Sequence, residues 1–158
     1  MNISLTWRNA SAAVLLAGMT ALASTAASAN GCPANQMGDN PLANAQTKPV
    51  GVTDTVLEQI DLSKEMVNAA DHKFRIRRLV IQPGGVVPLH DHADRPALIY
   101  IVSGEITEFA SDCLVPIVHG AGDTSRDADL HHWWKNMSKK PVVLISADIL
   151  HDPMDKNM

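Results

Sequence analysis

The sequence predicts a single all-β domain, a sandwich or barrel of six to eight short strands. Three observations carry that expectation. From Val50 to Ala147 the chain breaks into short apolar or β-branched runs. Gly, Pro and Asp turn signals separate those runs at close and even spacing. No stretch of about 12 residues shows the 3.6-residue period of an amphipathic helix. The 158 residues, 46% apolar and 19% charged, suit one domain with a proper core and argue against wholesale disorder.

The elements follow in order. Residues 1–29 read as a secretory signal peptide: a short n-region containing Arg8, an uncharged apolar run from Ala10 to Ala23, and Ala27-Ser28-Ala29 as a small-x-small cleavage site. The apolar run is shorter than the ~20 residues a membrane span needs. Export, in a bacterium to the periplasm, is therefore expected, with no membrane association after cleavage. Residues 30–49, rich in Asn, Gly and Pro, read as a flexible leader or arm. The barrel domain is expected over 50–150 and a tail over 151–158.

Val52–Ile60 has the β-branched content of an edge strand, and Leu62–Ala70 of a helical turn or loop. Phe74, Ile76, Arg78 and Val80 alternate with Arg75, Arg77 and Leu79, the period of a strand, which Pro83-Gly84-Gly85 is expected to end. Val86–His92 and Ala97–Val102 are the next strands. Ser103-Gly104 reads as a hairpin turn into Glu105–Phe109. Val115–His119, His132–Lys135 and Val142–Ala147 complete the series. Asp148 to Met158 reads as irregular and solvated.

The formal net charge of −4 argues against a nucleic-acid partner, since Arg75, Arg77 and Arg78 form the one basic cluster and acids lie nearby. Cys32 and Cys113 fit an oxidising compartment. They permit one disulfide, closing a loop of about 80 residues worth about 4 kcal/mol, or two unpaired thiols. They are not a CxxC, so neither a thioredoxin-like site nor a Cys-based zinc site is supported.

The seven histidines are the chemical signal. His90-x-His92 on a strand places two imidazoles on one face. His131-His132-Trp133-Trp134-Lys135-Asn136 supplies a third on another strand, where alternation lets only one of His131 and His132 point inward. By the same alternation one of Trp133 and Trp134 enters the barrel. His72, His119, His131 and His151 read as surface or loop residues, and so does Glu105. Arg95 could grip a substrate carboxylate or pair with Asp91 or Asp94. Tyr100 could act as an acid or base, or pack. No G-x-S-x-G context supports a hydrolase triad.

The run Pro83-Gly84-Gly85-Val86-Val87-Pro88-Leu89-His90-Asp91-His92, followed by Tyr100-Ile101-Val102-Ser103-Gly104-Glu105, resembles the first motif of the cupin superfamily, G-x5-H-x-H-x(3,4)-E-x6-G. Gly122-Asp123 and His132-x3-Asn136 echo the second motif. Together they cover residues 84–136. The first-motif Glu falls on Ala97, or on Pro96 with the shorter spacing, and Arg126-Asp127-Ala128-Asp129 stands where the second motif has its Pro and Gly.

The resemblance implies a single cupin-like β-barrel, the double-stranded β-helix or jelly roll. It implies a divalent transition metal (Fe, Mn, Zn, Ni or Cu) on His90, His92 and His132, with no carboxylate among the ligands. Such an ion keeps its full charge and favours an anionic oxygen ligand. Two functions follow as expectations. One is a metal-dependent oxygenase, isomerase or lyase acting on a small anionic or oxygen-rich molecule; the other is a non-catalytic ligand or metal binder. The resemblance also implies a homodimer formed through edge strands, Val52–Ile60 being the apolar segment available for it.

Overall fold

A computed structural model describes residues 31–151, so the expected signal peptide and all but the first residue of the expected tail lie outside the described residues. Eight strands form: β1 (Val50–Asp61), β2 (His72–Asp91), β3 (Ala97–Ser103), β4 (Glu105–Ala110), β5 (Ile117–Gly120), β6 (Thr124–Asp127), β7 (His131–Lys135) and β8 (Val142–His151). They pair in the order β5-β4-β7-β2-β8-β3-β6, with β1 on β2. Every pairing is antiparallel. The result is a nearly closed barrel, as expected.

The strand pattern departs from expectation at both glycine corners. Pro83-Gly84-Gly85 does not end a strand; it bends one. The first half of β2 pairs with β8 through Ile81, and the second half pairs with β7 from Val86 onward. Gly84 takes φ +74°, open to glycine at little cost. A Cβ on Gly85 would stand 2.7 Å from the Gln82 carbonyl oxygen. The bend is latched by Asn136, whose backbone N–H donates to Gly85 O at 2.9 Å and whose carbonyl accepts from Gly84 N–H at 2.9 Å. Its fully buried side-chain amide donates to Ile81 O at 3.0 Å and to Lys140 O at 2.8 Å. The asparagine of the second motif is thus a structural latch.

Ser103-Gly104 is likewise not a hairpin turn. β3 pairs with β6 and β8, whereas β4 pairs with β5 and β7, so Gly104, at φ +87°, carries the chain across the barrel, with β7, β2 and β8 standing between β4 and β3 in the sheet.

Two elements lacked a readable signal. β6 is Thr-Ser-Arg-Asp, without an apolar residue to show a period. β8 runs past Ala147 to His151, and Asp148, expected in a solvated segment, is 1% exposed. Arg75 satisfies it with two hydrogen bonds, of 3.0 and 2.8 Å.

The inward faces of β2, β3 and β8 alternate as a barrel requires. Leu79, Ile81, Ile99, Ile101, Val142 and Leu144 form the core with Ile106 and Trp134. Residues 31–49, read as a leader, are fastened along the barrel. Cys32 and Cys113 form the disulfide. Gly38 N–H donates to Asp112 O at 3.0 Å, Asn40 N–H to Ser111 O at 2.7 Å, and Leu114 N–H to Gln36 O at 2.9 Å.

Candidate metal centre

The β2–β7 register sets His90 directly opposite His132, and opposed residues on antiparallel strands share a face. His92 follows the end of β2, held by its N–H to Leu130 O at 3.0 Å. The sequence-predicted trio therefore comes together. His90 Nε2 lies 3.0 Å from His132 Nε2 and 3.0 Å from His92 Nε2.

The far side of each ring fixes its tautomer. His90 Nδ1 is 2.8 Å from the Pro88 carbonyl oxygen, and His92 Nδ1 is 2.6 Å from that of Arg95. A carbonyl only accepts, so both Nδ1 atoms carry the proton. His132 Nδ1 donates to Glu108 Oε1 at 2.6 Å. In the neutral rings all three Nε2 atoms are then bare lone pairs aimed at one another. That arrangement is repulsive unless a cation is shared. Donors about 2.1 Å from one ion stand about 3.0–3.4 Å apart between octahedral and tetrahedral angles, so the spacing fits a transition metal.

Electrostatics keep the ligands neutral. Burial, then the neighbouring His132, pushes the His90 pKa down to about 2. Burial, again aided by His132, pushes His92 down to about 4.

Sequence reasoning missed two buried carboxylates and one histidine. Glu108 sits on β4, 2% exposed, and bridges two imidazoles: His132 through Oε1, and His119 Nε2 through Oε2 at 2.7 Å. Burial raises its pKa, but the bonds from His119 and His132 outweigh it and hold the group near 2. His119, expected at the surface, is fully buried and stacks on Trp134 at 4.8 Å. The available signal was alternation: Ile106, Glu108 and Ala110 share the inward face of β4. Asp127, on β6, is 1% exposed; Ser125 Oγ donates to its Oδ1 at 2.6 Å. Burial drives its carboxyl up to about 6; His132 opposes this and Glu108 adds to it.

Trp134 shares the face of His132 and crosses its ring edge-on at 82°. The indole N–H points at that ring, 3.1 Å from Nδ1 and 3.4 Å from Nε2. Trp133 points the other way and stacks on Phe109 at 4.1 Å. A cavity of about 20 Å3 opens beside the trio, lined by Leu79, Val87, Ile99, Leu144 and Trp134, with Arg77, Ser146 and Asp127 as its polar wall.

The weak catalytic candidates lie elsewhere. Arg95, 2% exposed, stands 3.7 Å from Asp148, and its carbonyl oxygen meets the His92 ring. Tyr100 projects outward from β3 between inward Ile99 and Ile101, and is exposed. His72, His131 and His151 lie outside the trio, and Glu105 is on the surface.

No protein-family model and no curated protein matches the sequence. Solved structures do match the fold. One, described as a predicted oxalate decarboxylase from Thermotoga maritima, is 20% identical, with 72% of this chain and 99% of that one covered and a TM-score of 0.50. Another, the Cnp3 cupin domain of Schizosaccharomyces pombe, is 16% identical over 73% of each chain, also at 0.50. At such identity the likeness speaks for the fold. The chain has the cupin fold, a double-stranded β-helix, and carries candidate metal-ligand residues inside its barrel.

Proposed function

We propose that this protein is an exported metalloprotein holding one divalent transition metal on His90, His92 and His132, and that it acts on a small anionic or oxygen-rich molecule as an oxygenase, isomerase or lyase. The observation that carries the reading is the convergence of three bare Nε2 atoms whose tautomers are set from behind by Pro88, Arg95 and Glu108. When bound, the metal would supply a Lewis acid for a substrate oxygen. The chain supplies the rest. Glu108 keeps the His132 proton on Nδ1. Leu79, Val87, Ile99 and Leu144 give the cavity an apolar lining.

Arg77 gives the cavity a positive wall. It pairs with Asp54 at 2.5 Å and with Asp148 at 3.2 Å, and Arg75 and Arg95 also meet Asp148. A guanidinium on the cavity wall supports an anionic ligand. The Cys32–Cys113 disulfide supports export. The free edge of β1, with Val56, Leu57 and Ile60 exposed, supports dimerisation with a second copy; a light-scattering mass of one chain would remove that part.

One observation favours a second reading, a non-catalytic binder. The cavity of about 20 Å3 holds roughly one water, so a larger substrate needs the walls to move.

The test is elemental mass spectrometry on the mature protein purified without oxygen. About one metal per chain is expected, lost in His90→Ala and His132→Ala proteins that keep their circular dichroism. Oxalate, small, anionic and oxygen-rich, is a suitable first probe of turnover, alongside other small carboxylates. Metal without turnover would select the binder. No metal after incubation with each ion would overturn the metal-dependent reading and leave a ligand binder.

A further inference from the structure

We infer that the seam where the barrel fails to close is a second binding site, built for a free aliphatic α-amino acid. The site lies apart from the histidines and does not depend on a metal. β5 and β6 are the two ends of the strand order, so each has one edge without a strand partner among the described residues. They leave a common turn, in which Gly120 N–H donates to Asp123 Oδ2 at 2.6 Å and Asp123 N–H to Gly120 O at 3.0 Å. From that turn they separate, β5 onto β4 and β6 onto β3. A cavity of about 240 Å3 lies between them, against about 20 Å3 beside the histidines. At about 30 Å3 per water it has room for roughly eight waters, the bulk of a small branched amino acid.

The lining sorts by chemistry. Ala110, Ile117 and Leu130 give an apolar floor, and all three are buried. Arg126 on β6 and Asp112 in the turn after β4 bring opposite charges to the same cavity. Both are exposed, and neither side chain has an ion pair or hydrogen bond with another described residue. Opposite charges that share a cavity without meeting leave room for a ligand carrying both signs. Glu108 also lines the cavity, but its two oxygens accept from His119 and His132, so Asp112 is the acid open to a ligand cation. The Arg126 guanidinium suits a carboxylate, which it can grip through two parallel N–H groups. The Asp112 carboxylate suits an ammonium. The free edges of β5 and β6 offer backbone hydrogen bonds besides. An α-amino acid presents both charges on one carbon and an aliphatic chain for the floor.

The leader completes the wall. Gly31 and Cys32 line the cavity, and Cys32 is bonded to Cys113, the residue after Asp112. The disulfide therefore fixes the acidic side of the site. None of His90, His92 and His132 lines the cavity, so a ligand there lies against Glu108, the support of His132, and not against the metal donors.

The experiment is a calorimetric titration of the mature protein with L-leucine and L-valine, as purified and after stripping with EDTA, since a bound metal could itself chelate an amino acid. Saturable binding of one ligand per chain is expected, equal in both preparations. N-acetyl-L-leucine and L-leucinamide each lack one charge and should bind about three- to tenfold more weakly, the range for charged contacts at a cavity mouth. Arg126→Gln and Asp112→Asn should weaken L-leucine by the same factor, with circular dichroism checking each fold. The preferences should also move. Asp112→Asn should no longer distinguish L-leucine from N-acetyl-L-leucine, and Arg126→Gln should no longer distinguish it from L-leucinamide. No saturable binding of either amino acid at millimolar concentration would overturn the inference, and so would preferences that persist in both variants. Binding lost on stripping would overturn it too, and would place the ligand on the metal centre.

Discussion

Replacing Glu108 with Gln tests how the site is held from behind. Glu108 accepts two imidazole protons, from His132 Nδ1 at 2.6 Å and from His119 Nε2 at 2.7 Å. Gln keeps the shape but offers one carbonyl acceptor and one NH2 donor. If the carbonyl stays with His132, the NH2 meets the His119 N–H, donor against donor. His119 can escape by moving its proton to Nδ1, where it has no hydrogen-bond partner. If instead the NH2 faces His132, that ring must place its proton on Nε2, and a metal donor is lost. Hydrogen bonds to a charged group are worth about 1.5–3 kcal/mol each, partly offset by the burial cost of the carboxylate that Gln relieves.

Metal affinity should therefore fall 10–100-fold, about 1.4–2.7 kcal/mol. The assay is calorimetric titration of the stripped protein with zinc, with Glu105→Gln on the surface as control. Affinity of the Glu108→Gln protein within threefold of wild type would show that His132 does not depend on Glu108, and the argument from tautomers would fail for that ring.

Reducing the Cys32–Cys113 disulfide, which spans 81 residues, should cost about 4.5 kcal/mol on the loop-entropy estimate. Urea unfolding of oxidised protein against a Cys32→Ala/Cys113→Ala variant measures it, and a loss below about 1 kcal/mol would contradict the estimate. The metal-free protein should lose stability as pH falls below about 6.5. His90 and His92 titrate near 2 and 4 when folded but near 6.5 unfolded, so the unfolded chain takes up protons first. Asp127, raised to about 6, works the other way between about 6 and 3.8, where the folded state binds the extra proton, and shallows the slope. Unfolding midpoints in EDTA across that range would show the trend; constant midpoints would refute it.

Gly104→Ala should destabilise more than Gly122→Ala. Both need positive φ, but the new Cβ at 104 would stand 2.9 Å from Pro141 O, whereas that at 122 meets nothing within 4 Å. The strain common to both is about 1–2 kcal/mol, and thermal unfolding giving equal losses would refute the added clash.

The legible part of this molecule was carried by side-chain period and by motif spacing. His90-x-His92 and His132 announced the site because imidazoles are scarce and their spacing is fixed by the strand. The barrel showed in the series of short runs such as Ala97–Val102 and Val142–Ala147. What stayed hidden depended on partners distant in sequence. Pro83-Gly84-Gly85 looks like a stop until Asn136 latches the bend. Gly104 looks like a hairpin until β3 and β4 are seen with three strands between them. Glu108, Asp127 and Asp148 look like surface acids, because a carboxylate reads as solvated until the arginine or imidazole that meets it is known. Thr124–Asp127 had no apolar residue with which to declare a strand, yet it carries Asp127 to the wall of the histidine cavity.

The bent β2 bears on the order in which the molecule assembles. Its first half needs β8, some seventy residues later in the chain, and its second half needs β7, some forty later. Neither half of the barrel can close early, so folding should be slow, in the range of topologies dominated by distant pairings. His90 and His132 meet only when β2 has docked on β7, and Asp127 arrives with β6 on β3. An ion captured there would enter last. It would act as a lock on a barrel already formed, lengthening the lifetime of the folded state without hastening its arrival.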